Sequence, residues 1–126
     1  MPRHVHRVRI YYEDTDLSGA VYHANYLKYF ERAREHLFGP ERLVRLWDEE
    51  GVGFVVYKAD IVWRAPAQLG DEIEIRSSWR KDGRFRACFD QAAWREGEER
   101  ALVEAEIQLA CVDRSGKLVP LPELPA

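Results

Sequence analysis

The chain has 126 residues, of which 33% are charged and 46% hydrophobic, and its formal net charge at pH 7 is −3. This length suits one domain with one core, and we expect residues 1–126 to form it. The mild acidity and mixed charges argue against a nucleic-acid partner, and no apolar run approaches the roughly eighteen residues of a membrane span.

The N-terminus and the cysteines indicate where the protein works. The first residues lack the apolar segment of a secretory signal. Cys88 and Cys111 fit neither a disulfide framework nor the spacing of a metal site. We therefore expect a cytoplasmic protein that does not insert into a membrane.

The first third of the chain predicts a strand followed by a long helix. Val8, Ile10 and Tyr12 alternate with polar residues and are expected on one buried strand face. From about Ala24 the apolar residues recur at helical spacing, and Gly39-Pro40 predicts the helix end. A short second helix is expected near residues 40–49.

The remainder alternates in four further segments separated by turn signals, which predicts four strands joined mainly by hairpins. The segments run approximately over residues 55–63, 73–80, 85–94 and 101–111. In the first of them, one face is expected to carry Val55, Tyr57, Ala59, Ile61 and Trp63. The proline-rich tail is expected to be loose or bound at an edge. This order indicates an α+β fold whose antiparallel sheet is covered by the long helix.

A polar loop, residues 13–20, runs directly into the predicted start of the long helix and carries Asp14 and Asp16. Exposed backbone N–H groups at a helix start favour a nearby negative charge, so these carboxylates could simply cap the helix. Alternatively they take part in catalysis, because the same N–H groups could polarise a carbonyl and stabilise an oxyanion. The residue pattern leaves both interpretations open.

A metal site is the third interpretation of this loop. Residues 14–19 match the opening of a calcium-binding EF-hand loop, but Asn25 stands where a bidentate glutamate is needed. A transition-metal site on Asp16 and His23 lacks a second histidine nearby. We therefore expect no metal.

The other polar and aromatic candidates have more ordinary expected roles. His23 suits a neutral hydrogen-bonding residue at the helix start, and Asn25 suits a helix cap. Trp63, Trp79 and Trp94 suit packing positions. Neither a Gly-x-Ser-x-Gly elbow nor a Cys–His pair at a recognisable spacing offers a competing nucleophile.

The stretch DTDLSGAVYHANY at residues 14–26, with FERAR at residues 30–34, resembles the signature of hot-dog acyl-CoA thioesterases, in the 4-hydroxybenzoyl-CoA thioesterase-like family. APA at residues 65–67 before GDE at residues 70–72 also resembles that family. The resemblance covers nearly the whole chain and implies a five-stranded antiparallel sheet wrapped around one long central helix. One departure is Leu17-Ser18, where the family more often has Ala-Gly or Pro-Ala.

The resemblance also implies a reaction, the hydrolysis of a thioester to a carboxylic acid and free coenzyme A. Asp16 would be the catalytic carboxylate, acting either as nucleophile or as general base. The backbone N–H of His23 would contact the thioester carbonyl, and Gly19, Val21 and Tyr22 would bind the substrate beside it. No separate cofactor is implied, because coenzyme A is part of the substrate.

Arg80 and Lys81 resemble the family's basic strand end near the coenzyme A phosphates. The resemblance further implies a homodimer whose sheets join edge to edge, often doubled to a homotetramer. In such an assembly, Asp16 of one subunit would meet Arg80 and Lys81 of a neighbour.

Two other functions stay open. An acyl-carrier-protein thioesterase or a hot-dog dehydratase would use a similar fold, and His23 is the histidine that could pair with a carboxylate in a dehydratase. A non-catalytic acyl-CoA binding protein would use the same pocket without hydrolysis. The acyl group itself cannot be named from the residue pattern.

Overall fold

The computed structural model describes residues 2–126 and orders the chain as one strand, two helices and five further strands. The strands are β1 (Arg3–Arg9), β2 (Gly53–Trp63), β3 (Glu72–Asp82), β4 (Arg86–Arg95), β5 (Val103–Val112) and the short β6 (Leu118–Val119). The helices are α1 (Asn25–Phe38) and α2 (Pro40–Arg45), and α2 continues into a π-helical turn, Leu46–Glu50. The predicted long helix, second helix and four later strands are therefore confirmed.

The sheet is antiparallel throughout, in the order β1-β3-β4-β5-β2, with β6 paired to the end of β5. α1 lies on its inner face because one stripe of the helix is apolar. Phe30 and Ala33 are fully buried in the same cluster as Ile75, Phe89 and Ile107 from the sheet. A sheet wrapped around one long helix is the hot-dog fold, so that prediction is confirmed.

The first strand is shorter than predicted. β1 ends at Arg9, and residues 12–14 form a 3₁₀ turn that leaves Tyr12 82% exposed. The turn forms because the Asp14 carboxylate accepts a hydrogen bond of 2.8 Å from the Tyr11 N–H. The expectation that Tyr12 lies on the buried face was wrong, since a local side-chain bond ends the strand first.

A β-bulge at Tyr57 changes which side chains of β2 face the helix. Val56 pairs with Leu109 and Lys58 pairs with Gln108, so Tyr57 is the extra residue between them. Paired residues share a face of the sheet, and one extra residue reverses the alternation. Val55 and Tyr57 therefore lie on the outer face, so the expectation that they share one face with Ala59, Ile61 and Trp63 was wrong.

The C-terminal residues bind at the edge, one of the two predicted outcomes. β6 extends the sheet beside β5, and Leu121 is buried. The Trp79 indole N–H donates a hydrogen bond of 2.8 Å to the carbonyl of Pro125. Within residues 2–126, no helix is long and apolar enough to cross a membrane.

Candidate active site

The loop before α1 folds back on itself and delivers residues 21–23 to the start of the helix. The Asp16 N–H donates to the Ala20 carbonyl at 2.8 Å, and the Tyr22 N–H donates to the Asp14 carbonyl at 2.9 Å. Gly19 closes this turn with φ of 83°, a conformation that residues with a Cβ rarely adopt. Asp16 is thereby held in the same tight turn that presents the helix start.

Asp16 is exposed, and its carboxylate is held by its own turn. Oδ1 accepts hydrogen bonds from the Ser18 hydroxyl at 2.6 Å and from the Ser18 N–H at 2.8 Å. The Ser18 hydroxyl, then the Ser18 N–H, lowers the pKa of Asp16, and nearby His23 adds a smaller electrostatic contribution. The carboxylate is therefore ionised at neutral pH. Because its partners lie in the loop rather than in α1, Asp16 does not cap the helix, which was one of the two open interpretations of this carboxylate.

The same turn occurs a second time in the chain. Asp113 accepts hydrogen bonds from the Ser115 N–H and hydroxyl, and Gly116 follows with φ of 83°. These contacts lower the pKa of Asp113 as well. An ionised aspartate in this turn is thus not distinctive by itself, and what distinguishes Asp16 is the helix start beside it.

Asp14 and Asn25 tie the loop to the helix. The Asn25 side-chain amide donates to the Asp14 carboxylate at 3.1 Å, while the other oxygen of Asp14 holds the Tyr11 N–H. Asn25 is the first residue of α1, and the capping position belongs to Ala24, which makes no side-chain cap. The expected capping role of Asn25 was therefore wrong, because its side chain reaches back to the loop instead.

The helix start offers unused hydrogen-bond donors. Among residues 2–126, neither the N–H of His23 nor that of Ala24 has an acceptor. The carbonyl of His23 accepts a hydrogen bond of 3.1 Å from the Trp63 indole, and the two rings meet edge to face at 5.8 Å. A cavity of about 240 Å³ opens here, and its wall includes Val21, His23, Tyr26 and Trp63.

A second loop, residues 64–71, supports the first. The sequence marked it through the family resemblance, but its contacts with the first loop were not predicted. The Ala67 carbonyl accepts from the Val21 N–H at 2.9 Å, and the Ala67 N–H donates to the Tyr26 hydroxyl at 3.1 Å. Arg95 in β4 holds this second loop through the Asp71 carboxylate at 2.9 Å and the Pro66 carbonyl at 3.0 Å. Alternation along β4 gave no signal for this role, since it depends on contacts between distant segments.

Arg80 and Lys81 lie away from the other predicted site residues. They stand near the end of β3, whereas Asp16 lies beyond the beginning of β3, so roughly 25 Å of strand separates them within one chain. Arg80 pairs with Asp90 at 2.9 Å, and Lys81 is exposed. One chain therefore brings together Asp16, Gly19, Val21, Tyr22 and His23, but not the two basic residues.

Within residues 2–126, no three His, Cys, Asp or Glu side chains converge as ligands. Beside the Asp16 carboxylate, the unused N–H groups of the helix start are donors of the kind that can polarise a carbonyl.

Comparisons with known proteins agree with this fold. Residues 10–124 match the family described as the thioesterase-like superfamily. The acyl-CoA thioester hydrolase YbgC of Escherichia coli O157:H7 is 40% identical over 111 residues, covering 84% of this chain and 79% of that protein. A probable thioesterase from Bartonella henselae superimposes with a TM-score of 0.88 at 32% identity, covering 96% of this chain and all of that one.

A third match concerns the fold alone. The structure of a 1,4-dihydroxy-2-naphthoyl-CoA thioesterase from Synechocystis superimposes with a TM-score of 0.87 at 23% identity. It covers 96% of this chain and 90% of that one.

Proposed function

We propose that this chain, which belongs to the thioesterase-like superfamily and is a thioester hydrolase, cleaves acyl-CoA thioesters with Asp16 as its catalytic carboxylate. The observation that carries the proposal is the single turn that holds an ionised, exposed carboxylate beside unused N–H groups at the start of α1. A thioester needs both features, because its carbonyl carbon must meet a nucleophile while its oxygen gains negative charge.

The reaction can follow either of two routes from this geometry. In one, an Asp16 oxygen attacks the thioester carbon, the C–S bond breaks, and water then hydrolyses the resulting anhydride. In the other, Asp16 takes a proton from a water molecule that attacks the same carbon. Both routes release a carboxylic acid and coenzyme A, and in both the His23 N–H would stabilise the oxyanion.

The substrate would lie against residues of the same turn. Gly19 faces open space, because a Cβ at this position would meet no atom within 4 Å. Val21 and His23 line the cavity at the helix start, and Tyr22 is exposed beside them. We expect this cavity to receive the thioester end of the substrate.

A homodimer formed through β2 would complete the site. β2 is an edge strand that exposes Val55, Val56 and Val62, whereas the other edge strand, β1, alternates arginines on its exposed face. Charged residues protect an edge from pairing, and apolar residues invite it. We therefore propose that two copies pair through β2, related by a two-fold axis.

Such pairing would place Arg80 and Lys81 near the Asp16 of the other copy. Antiparallel pairing of two β2 strands sets the Trp63 end of one against the Gly53 end of the other. In each chain Trp63 lies at the same end of the sheet as Asp16, and Gly53 lies at the end that carries Arg80. The two basic residues could then bind coenzyme A phosphates. A tetramer, a cytoplasmic location and the lack of a cofactor stay predictions.

Replacing Asp16 with asparagine tests the proposal. Asp16→Asn keeps the side-chain shape and removes the negative charge, so kcat for acyl-CoA hydrolysis should fall ~10²–10⁴-fold with little change in KM. Steady-state rates on a set of acyl-CoA thioesters measure this.

Asp113→Asn is the matched control, because it removes the same charge from the same kind of turn elsewhere. It should keep the wild-type kcat. An Asp16→Asn protein with more than a tenth of the wild-type kcat would refute the role of Asp16.

A further inference from the structure

A second cavity, of about 580 Å³, lies between α1, α2 and the first residues of β2, and its wall contains a buried arginine. Arg34 is only 7% exposed, although it belongs to an otherwise apolar stripe of α1. Arginine is rarely buried unless it is paired. This one therefore needs an explanation that packing alone does not give.

The partner of Arg34 is a neutral amide. Its Nη1 donates a hydrogen bond of 2.9 Å to the Gln91 side-chain oxygen. Gln91 is fixed in that orientation, because its amide nitrogen donates to the Phe30 carbonyl at 3.1 Å and to the Ser77 hydroxyl at 3.0 Å. Gln91 thus belongs to a small polar network that holds the guanidinium in place.

No counter-charge neutralises Arg34. Within the described part of the chain, no carboxylate lies within 4 Å of its guanidinium. The charge that raises the pKa of Arg34 belongs to Glu31, which is exposed. Burial lowers the pKa of Arg34 to about 10, so the group still carries its charge at neutral pH. A buried charge without an anion is costly. The other guanidinium nitrogens of Arg34 are not among the buried polar atoms without a partner, so they open to the cavity, where their fork matches a carboxylate.

The rest of the cavity wall suits an apolar ligand. Phe38, Leu46 and Phe54 line it beside Arg34. Two exposed cations of α1, Lys28 and Arg32, stand at its edge with Glu31 and Glu35. An organic anion with an apolar body would satisfy both the guanidinium and these side chains.

We propose that this cavity binds an aliphatic or aromatic carboxylate, with the carboxylate on Arg34 and the apolar body against Phe38, Leu46 and Phe54. Two sources share that chemistry. The carboxylate is either the far end of an acyl group that carries a second acid function, or a free carboxylic acid of the kind the reaction releases. The first source rests on the proposed function and on its pairing through β2, because the cavity borders the Gly53 end of β2, which that pairing sets against the Trp63 end and the Asp16 of the other copy. The second source rests on neither.

Matched ligands test both sources on the wild-type protein. Octanoyl-CoA and the mono-CoA thioester of octanedioic acid have the same chain length and differ in one terminal carboxylate. If the acyl group supplies the anion, kcat/KM should favour the diacid thioester by at least ~10-fold. If a free acid supplies it, octanoate should bind at least ~10-fold more tightly than octan-1-ol in calorimetry at neutral pH. The proposal would be overturned if the two thioesters had equal kcat/KM and octanoate and octan-1-ol bound equally tightly.

Variants then assign the effect to Arg34. Arg34→Gln should abolish the preference that the wild type shows, while Arg34→Lys, which keeps the charge and loses the fork, should keep part of it. Arg45→Gln is the matched control, since Arg45 is an exposed arginine outside the cavity wall. It should keep the full preference.

The outcomes separate this proposal from the proposed function. Loss of hydrolysis in Asp16→Asn concerns the reaction alone, and calorimetry with octanoate does not depend on catalysis. If Arg34→Gln fails to fold, Arg34→Lys carries the test. A folded Arg34 variant that keeps the undiminished preference would overturn the assignment.

Discussion

At the scale of single residues, Trp63 acts on the helix start through one hydrogen bond. Its indole donates to the carbonyl of His23, which belongs to the same peptide plane as the N–H of Ala24. That bond fixes the plane and therefore the direction of a donor that has no acceptor in the described chain. Trp63 would therefore position the N–H of Ala24, a second donor next to the His23 N–H that we propose as the oxyanion contact.

Replacing Trp63 with phenylalanine should separate this role from packing. Trp63→Phe keeps an aromatic ring and removes the donor, so we expect kcat to fall about 3–10-fold with KM nearly unchanged and a stability loss of about 1 kcal/mol. Steady-state kinetics and urea unfolding measure these two effects. Trp94→Phe, whose ring stacks under Arg76 instead, should leave kcat unchanged. Equal kcat in both variants would contradict the positioning role.

The site residues could be predicted from the chain only where the signal is local. Asp16 and Gly19 belong to one short motif, so the resemblance could single them out as candidates, and the structure places both in one turn. The roles of Asp14 and Asn25 depend on a contact 11 residues apart, and that of Trp63 on a contact 40 residues apart. Such contacts exist only after the segments have folded together, which is why the capping role of Asn25 was mispredicted.

At the scale of elements, β1 and α1 meet through histidines. His6 stacks on His36 of α1 with ring centroids 4.3 Å apart, and His4 lies half-buried beside them. Burial, then the charge of His36, lowers the pKa of both His4 and His6, and the charge of Arg32 adds to this for His6. Protonation is therefore harder in the folded chain than in the unfolded one.

This contact predicts a loss of stability in mild acid. A histidine whose pKa is lowered on folding does not change the free energy of unfolding above pH 6.5. As the pH falls below 6.5, the unfolded chain binds the proton more readily, so the free energy of unfolding decreases. The free energy of unfolding should be constant from about pH 8 to 7 and should decrease toward pH 5, above the range in which carboxylates titrate. Urea unfolding at fixed salt measures it.

The His6→Phe variant keeps a ring against His36 and removes one titrating group. Its stability should depend less on pH between 7 and 5 than that of the wild type. A steeper dependence in the variant would contradict this account of the β1–α1 contact.

The elements themselves were largely predictable, because their signals are periodic. The apolar stripe of α1 and its end at Gly39 are local properties of the sequence. The sequence did not predict which side chains of β2 share a face. Alternation assumes a regular ladder, and the bulge at Tyr57 shows only in the pairing with β5. Likewise β1 ended early because Asp14 competes for the backbone.

At the scale of the whole molecule, the two edges of the sheet predict the assembly. Lysine on the β2 edge should prevent pairing of two copies, because it would place charges where apolar side chains meet. We expect the double variant Val55→Lys/Val62→Lys to sediment as a monomer and the wild type as a dimer. If the site is shared, the monomer should also lose at least ~10-fold in kcat/KM for acyl-CoA hydrolysis.

Val5→Lys is the matched control on the other edge strand. Val5 is 51% exposed, close to the 42% of Val55 and the 46% of Val62. Val5→Lys should leave both the dimer mass in sedimentation and kcat/KM for acyl-CoA hydrolysis unchanged. A wild-type monomer with full activity would contradict the shared site, and a Val5→Lys monomer would assign the interface to β1.

The bulge in β2 also bears on how this chain can change length during evolution. Without Tyr57, the pairs on either side of it would join into one regular ladder, with Val56 and Ala59 still facing the helix. Related chains that are one residue shorter at this point would therefore keep all the remaining side chains of the strand on their present faces. What they would lose is the ring that Tyr57 places 3.9 Å from the Arg86 guanidinium on the outer surface. An insertion or deletion at any other position of β2 would exchange the two faces, so we expect gaps in aligned sequences to gather at Tyr57.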